Sequence, residues 1–177
     1  MPRLFTGIEI PEDAAQRLSE MRGGIFGARW IEPANYHVTL RFIGDVDART
    51  ADDIAETLDE VRRRPVKIVF EGLNWFGGDK PRAIVARVKA DPALMDLQAA
   101  HERRLRRIGL APETRNFTPH VTLARLRSTS PLAVADYLGA RGGLQADAFE
   151  PARFVLYSSR DSVGGGPYQV EASYPLG

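Results

Sequence analysis

Apolar positions along the chain alternate between two periods. "LFTGIEI" (4–10) is rich in β-branched and aromatic residues and stops at Pro11, which predicts a strand followed by a helix start. That helix runs to about Met21 and ends at Gly23 and Gly24. "YHVTLRFIG" (36–44) reads as a second strand. "TADDIAETLDEVRRR" (50–64) sets Ile54, Leu58 and Val61 on one helical stripe, with acids early and arginines late to suit the helix dipole, and Pro65 as a stop.

A hairpin follows, with strands at 66–76 and 82–90 around the turn "GGDKP" (77–81). The next helix spans 91–110, with Asp91 as N-cap, Pro92 at the first helical position and Gly109 as its end. Strand 120–126, a short helix at 130–140 and strands at 152–160 and 167–176 complete the chain, the last two joined through the glycines at 164–166. The order βα β α ββ α β α ββ has two similar halves, so a duplicated, two-lobe α+β arrangement is expected, in one domain over residues 1–177.

Composition narrows the chemistry. With 44% hydrophobic and 27% charged residues the balance is globular, and a formal net charge of +1 gives no global attraction to nucleic acid. Any hold on phosphate is therefore local. The chain has no cysteine, which removes disulfides, thiolate nucleophiles and sulfur-ligated zinc. Glu9 and Pro11 interrupt the opening before a signal-peptide core forms, and no apolar run reaches the roughly 18 residues of a membrane span, so a cytoplasmic protein is expected. A monomer is the default.

Two of the three histidines open the same word, His-Val-Thr-Leu, in "NYHVTLRFIG" (35–44) and "TPHVTLARLR" (118–127). In a strand, successive side chains point to opposite faces. His37, Thr39 and Arg41 then share one face, and His120 and Thr122 share the equivalent face of the other copy. If the strands lie side by side, one groove receives two imidazoles and two hydroxyls. That set supplies a general base, a general acid and donors to phosphoryl oxygens, as attack on a phosphodiester requires. Imidazole suits both proton-transfer roles because its ordinary pKa is ~6.5. Two histidines with Glu32 or Asp45 are a conceivable zinc set, but threonine follows each histidine at the ligand spacing, and no HxH or HExxH occurs. No metal or cofactor is expected. His101, on the apolar face of helix 91–110, reads as a core residue without chemistry.

"RLFTGIEIP", "YHVTLRFIGDV", "RNFTPHVTLARL" and "FVLYSSR" together resemble the 2H phosphoesterase superfamily, in particular its RNA 2′,3′-cyclic phosphodiesterase branch (LigT-like, also called 2′-5′ RNA ligase). The resemblance spans nearly the whole chain. It implies a bilobal α+β fold, each lobe with an antiparallel sheet flanked by helices that contributes one HxT strand to a central cleft, and metal-independent hydrolysis of a terminal 2′,3′-cyclic phosphate to a 2′-phosphate. It implies that His37 gives a proton to the leaving 3′ oxygen, that His120 activates water, and that Thr39 and Thr122 bind the non-bridging oxygens. Arg125 matches a position that contacts phosphate, although strict alternation puts it on the face opposite His120, so that it reaches the cleft only through a bulge or the strand's end. Arg41 has the cleft parity, and Phe5 is a candidate to stack on the terminal base. Substrates on this reading are RNA 3′ ends or nucleotides carrying a 2′,3′-cyclic phosphate. Alternatives are the reverse joining reaction, action on small cyclic nucleotides only, and a non-catalytic module that binds RNA ends. The segment "VGGGPY" (163–168) is either a lip over the cleft or a turn.

Overall fold

A computed structural model describes residues 3–61, 63–141, 143–159 and 166–177. Its elements in chain order are β1 (Arg3–Glu9), α1 (Glu12–Ser19), β2 (Ala28–Trp30), a 3₁₀ turn (Pro33–Asn35), β3 (His37–Asp45) and α2 (Ala48–Leu58). They continue with β4 (Phe70–Phe76), β5 (Ala83–Val88), α3 (Pro92–Arg107), β6 (His120–Leu126), α4 (Pro131–Ala140), β7 (Arg153–Ser158) and β8 (Gln169–Pro175). The expected order holds, with the short β2 and the 3₁₀ turn added. Residues 163–165 of the glycine segment lie outside the described residues.

Caps explain where the helices begin and end. The Asp47 carboxylate accepts from the Thr50 amide at 2.7 Å, so α2 begins earlier than residue 50. It also ends earlier, at Leu58, where the chain tightens into i→i+3 bonds from Glu60 to Thr57 and from Val61 to Leu58. Val61 still reaches the core from that turn. Asp91 and Ser130 cap α3 and α4 in the same way, each with proline at the first helical position.

The strands form one eight-stranded sheet in the order β4-β5-β6-β3-β1-β7-β8, with β2 added along the far end of β6. All registered pairs are antiparallel. The sheet is two half-sheets joined at a thin seam. Lobe A comprises β3, β1, β7 and β8, lobe B comprises β4, β5, β6 and β2, and a single registered pair, Val38 with Val121, connects β3 to β6. Each lobe thus has its own antiparallel sheet, and the two HVTL words meet at the seam.

One face of the sheet carries the helices. Leu18, Ile54, Leu94, Leu105 and Val134 from the four helices are fully buried in one cluster with Ile8, Val38, Ile84, Val121 and Phe154 from the strands. Burying a side chain of this size stabilises the fold by about 1.5–3 kcal/mol. His101 belongs to this core. It is 0% exposed, donates Nδ1–H to the Leu97 carbonyl at 2.8 Å, and packs edge-on against Phe154 at 4.6 Å. The opposite face of the sheet is free of helices at the seam, and the cleft lies there.

Candidate active site

The seam explains how two distant words share one groove. Val38 and Val121 are register partners on antiparallel strands and both point into the core. Their neighbours on each side therefore point into the cleft, His37 falling toward Thr122 and Thr39 toward His120. An approximate twofold relation through the valine pair exchanges the words and leaves the imidazoles on opposite flanks.

Each imidazole is held in the same way. The Nδ1–H of His37 donates to the Asn35 carbonyl at 2.9 Å, and that of His120 donates to the Thr118 carbonyl at 2.6 Å. A carbonyl only accepts, so the Nδ1 of each ring carries the proton and Nε2 is the nitrogen left for chemistry. In both words the acceptor lies two residues before the histidine. Matching sequence has produced matching orientation and tautomer.

The alternation expected for the rest of each word breaks at a bulge. Gly7 pairs with Thr39 but Thr6 with Arg41, so Leu40 is the extra residue in β3. Val85 pairs with Thr122 but Ile84 with Ala124, so Leu123 is the extra residue in β6. The bulges fall at the same letter of both words and reset the facing of everything after it. Arg125 therefore reaches the cleft, by the bulge that its position required.

Arg41 does not reach it, and its expected role is corrected by the same bulge. It is 7% exposed and turned to the core side, where Nε donates to Glu102 at 2.7 Å and a terminal amine donates to the Ala111 carbonyl at 2.5 Å. The place its parity predicted is taken by Phe42, which lines the cleft and is 46% exposed.

The cleft has a volume of about 250 Å³. His37, Thr39, Thr122 and Arg125 line it together with Arg3, Asn35 and Ser159, and no carboxylate is among its described lining residues; His120 is not one of them and is placed beside the cleft by strand register alone. An aromatic wall closes the His37 flank. The His37 ring lies 5.0 Å from Phe5, 5.2 Å from Tyr168 and 5.5 Å from Tyr157. Phe5 is only 5% exposed and one of its faces is stacked on Tyr157 at 4.9 Å, so it backs the histidine, while Phe42 offers an open ring. Sequence reading missed Phe42, because the bulge is set by the partner strand, and Tyr168, because it arrives from just before β8.

These surroundings tune the imidazoles. Burial in the aromatic wall lowers the His37 pKa to about 4; the Asn35 carbonyl opposes the shift, and the charges of His120 and Arg125 add to it. Burial also lowers His120, which the Thr118 carbonyl opposes and Arg125 reinforces. His37 therefore responds to His120, and both respond to Arg125. At neutral pH His37 is therefore an uncharged base, and an anion beside it favours its protonation.

The sequence matches the family model for LigT-like phosphoesterases over residues 8–85 and 88–168, with one HVTL word in each stretch. The chain belongs to the LigT-like phosphoesterase family. Among curated members it is 33% identical to the RNA 2′,3′-cyclic phosphodiesterase of Aeropyrum pernix, over 81% of this chain and 85% of that protein. It is 30% identical to the enzyme of the same name from Aquifex aeolicus, over 98% of this chain and 94% of that protein. The LigT-like fold recurs in a crystal structure from Thermus thermophilus (TM-score 0.83, 21% identity, 98% of this chain and 97% of that one). It recurs again in E. coli LigT complexed with 3′-AMP (TM-score 0.78, 21% identity, 99% of each chain). This LigT-like protein is an enzyme of the 2H phosphoesterase type that its paired words resemble. Among its described residues no helix is long and apolar enough to cross a membrane.

Proposed function

We propose that the protein hydrolyses terminal 2′,3′-cyclic phosphates of RNA to 2′-phosphates by acid–base catalysis between His37 and His120, without a metal. The observation that carries this reading is the pair of imidazoles, each fixed through Nδ1 to a carbonyl two residues upstream, on strands registered at Val38 and Val121, with His37, Thr39, Thr122 and Arg125 lining the cleft at that seam. Curated relatives named RNA 2′,3′-cyclic phosphodiesterase support the substrate class.

The difference between the two lobes supports a division of roles. Base and ribose belong against the aromatic wall, on the flank of His37. The leaving 3′ oxygen is part of that ribose, so His37 is the group that protonates it. His120, on the other flank, takes the proton from the attacking water. Thr39, Thr122 and Arg125 hold the non-bridging oxygens, where charge accumulates. The anionic phosphate supplies the charge that returns a proton to His37 despite its depressed pKa. A described lining of histidine, threonine and arginine suits an anion.

The test is turnover of an oligonucleotide ending in 2′,3′-cyclic phosphate, with EDTA present. Wild type is expected to give the 2′-phosphate, and His37→Ala and His120→Ala each to lose about 10²–10⁴-fold. Full activity in either variant, or its loss on chelation, refutes the mechanism. RNA binding that persists without any turnover by wild type indicates a binding module instead.

A further inference from the structure

We propose that lobe B carries a second nucleotide subsite on the His120 flank, in which Phe76 receives a base and Arg87 a phosphate of an RNA chain. The inference rests on the proposed function, because it places this nucleotide beyond the reacting phosphorus, away from the aromatic wall of lobe A.

Strand register supports it. Paired residues of an antiparallel ladder share a face. Arg87 pairs with His120, and Val85 with Thr122, so Arg87 stands on the cleft side of β5. Asn74 and Phe76 of β4 pair with Val85 and Ala83 and stand on the same side. The Phe76 ring meets the His120 ring edge-on at 4.9 Å, which makes it the aromatic neighbour of His120 as Phe5 is of His37. Because Arg87 is the register partner of His120, the Phe76 ring and the Arg87 side chain approach the same imidazole from lobe B.

The approximate twofold relation sharpens the argument. Glu9 pairs with His37 as Arg87 pairs with His120. Arg153 closes the Glu9 carboxylate with two bonds, at 2.7 and 3.0 Å, so that position in lobe A is neutralised. Its counterpart in lobe B is a cation, exposed, with no ion-pair partner among the described residues. Opposite Val85, two positions from Arg87 on the same face, the Asn74 side-chain oxygen accepts from the Trp75 amide, which leaves its NH₂ to donate. An aromatic ring, an amide donor and an unpaired guanidinium on one open face match the parts of a nucleotide.

The nucleotide has two possible sources: the substrate's own preceding residue, or the end of another strand whose hydroxyl replaces water. In the second case His120 takes the hydroxyl proton, the new P–O ester forms, and the 3′ oxygen leaves with the proton from His37. Phe76→Leu and Arg87→Gln separate the sources in three assays: hydrolysis of a mononucleotide 2′,3′-cyclic phosphate, hydrolysis of an oligonucleotide with the same end, and partition of the mononucleotide between water and a 5′-hydroxyl oligonucleotide. Arg87→Gln is expected to keep mononucleotide hydrolysis within about 2-fold of wild type, while Phe76→Leu, whose ring touches His120, is read relative to its own mononucleotide rate. A loss of about 10-fold in oligonucleotide kcat/KM identifies the preceding residue, and a 10-fold fall in the transfer-to-hydrolysis ratio identifies the incoming strand. The ratio is insensitive to damage at His120, since both nucleophiles use it. All three assays unchanged, or the mononucleotide falling in step with the others, overturns the subsite. Wild type inactive toward every cyclic phosphate sinks the proposed function itself and takes the subsite with it.

Discussion

The two HVTL words are the same four letters folded into the same geometry, and they part company immediately afterwards. In both, the histidine donates Nδ1–H to a carbonyl two residues back, the threonine faces the cleft, and the leucine is the extra residue of a bulge. After the bulge, lobe A places Arg41 toward the core and Phe42 in the cleft, whereas lobe B places Ala124 in the core and Arg125 in the cleft. On the proposed mechanism, the shared part builds a symmetric reaction centre. The divergent part makes it directional, with aromatic surface on one flank and cationic surface on the other. An asymmetric substrate needs both.

The arginines offer the sharpest way to break that comparison. Arg41 and Glu102 form an ion pair with side chains only 7% and 16% exposed, and both also hold the segment that leads to β6, through the Ala111 carbonyl and the Glu113 amide. Arg41→Ala removes the buried partner of Glu102, which keeps the exposed Arg106 and the Glu113 amide, and is expected to cost about 1.5–3 kcal/mol of stability. Arg125→Ala is expected to leave stability within ~0.5 kcal/mol while lowering kcat/KM by about 10²–10³-fold, as the loss of a charge-stabilising donor does. Denaturant melts and turnover of the two variants give the result. If both lose activity and neither loses stability, the bulge does not divide their roles.

A smaller effect tests the crowding around His37. Gly7 and Val85 are counterparts, each paired with the threonine of an HVTL word. Lobe B tolerates valine there; lobe A does not. A Cβ on Gly7 would lie 2.8 Å from the Val38 carbonyl, 3.2 Å from Tyr157 and 3.5 Å from the His37 ring. Gly7→Ala is expected to cost about 1–3 kcal/mol through overpacking. By displacing His37 it is also expected to lower turnover by up to about 10²-fold. Unchanged melting and kinetics would show that the wall behind His37 is loosely packed.

Much of this was legible in the sequence, because each element had a local cause. Pro11, Asp91, Pro92 and Gly109 mark helix ends by backbone chemistry, and the strands announce themselves by alternation. The bulges did not, because an extra residue is defined only against a partner strand. Leu123 followed by Ala124 hinted at one, as two consecutive core-type residues in an alternating strand. In the first word the corresponding residue is Arg41, whose charge hid the same break and gave it an apparent cleft parity. Tyr168 was illegible for a different reason: it reaches the His37 ring from a distant part of the chain, and no local pattern encodes that meeting.

The third histidine completes the comparison with the smallest effect. His101 has a pKa lowered to about 4, chiefly by burial and against the opposing Leu97 hydrogen bond, much as burial lowers His37; no anion can reach it to restore the proton. Its folded pKa lies below the unfolded value of about 6.5, so the neutral ring favours the fold above pH 6.5, and that advantage fades as acid protonates the unfolded chain first. Between pH 7 and pH 5 the linkage amounts to about 2 kcal/mol for this residue. His101→Leu, which keeps an apolar side chain against Phe154, is expected to shed that share of the pH dependence in denaturant melts at the two pH values, with cyclic-phosphate turnover at neutral pH retained. An undiminished acid sensitivity would move the linkage elsewhere, and lost turnover would make the core histidine part of the chemistry that its two counterparts are proposed to share.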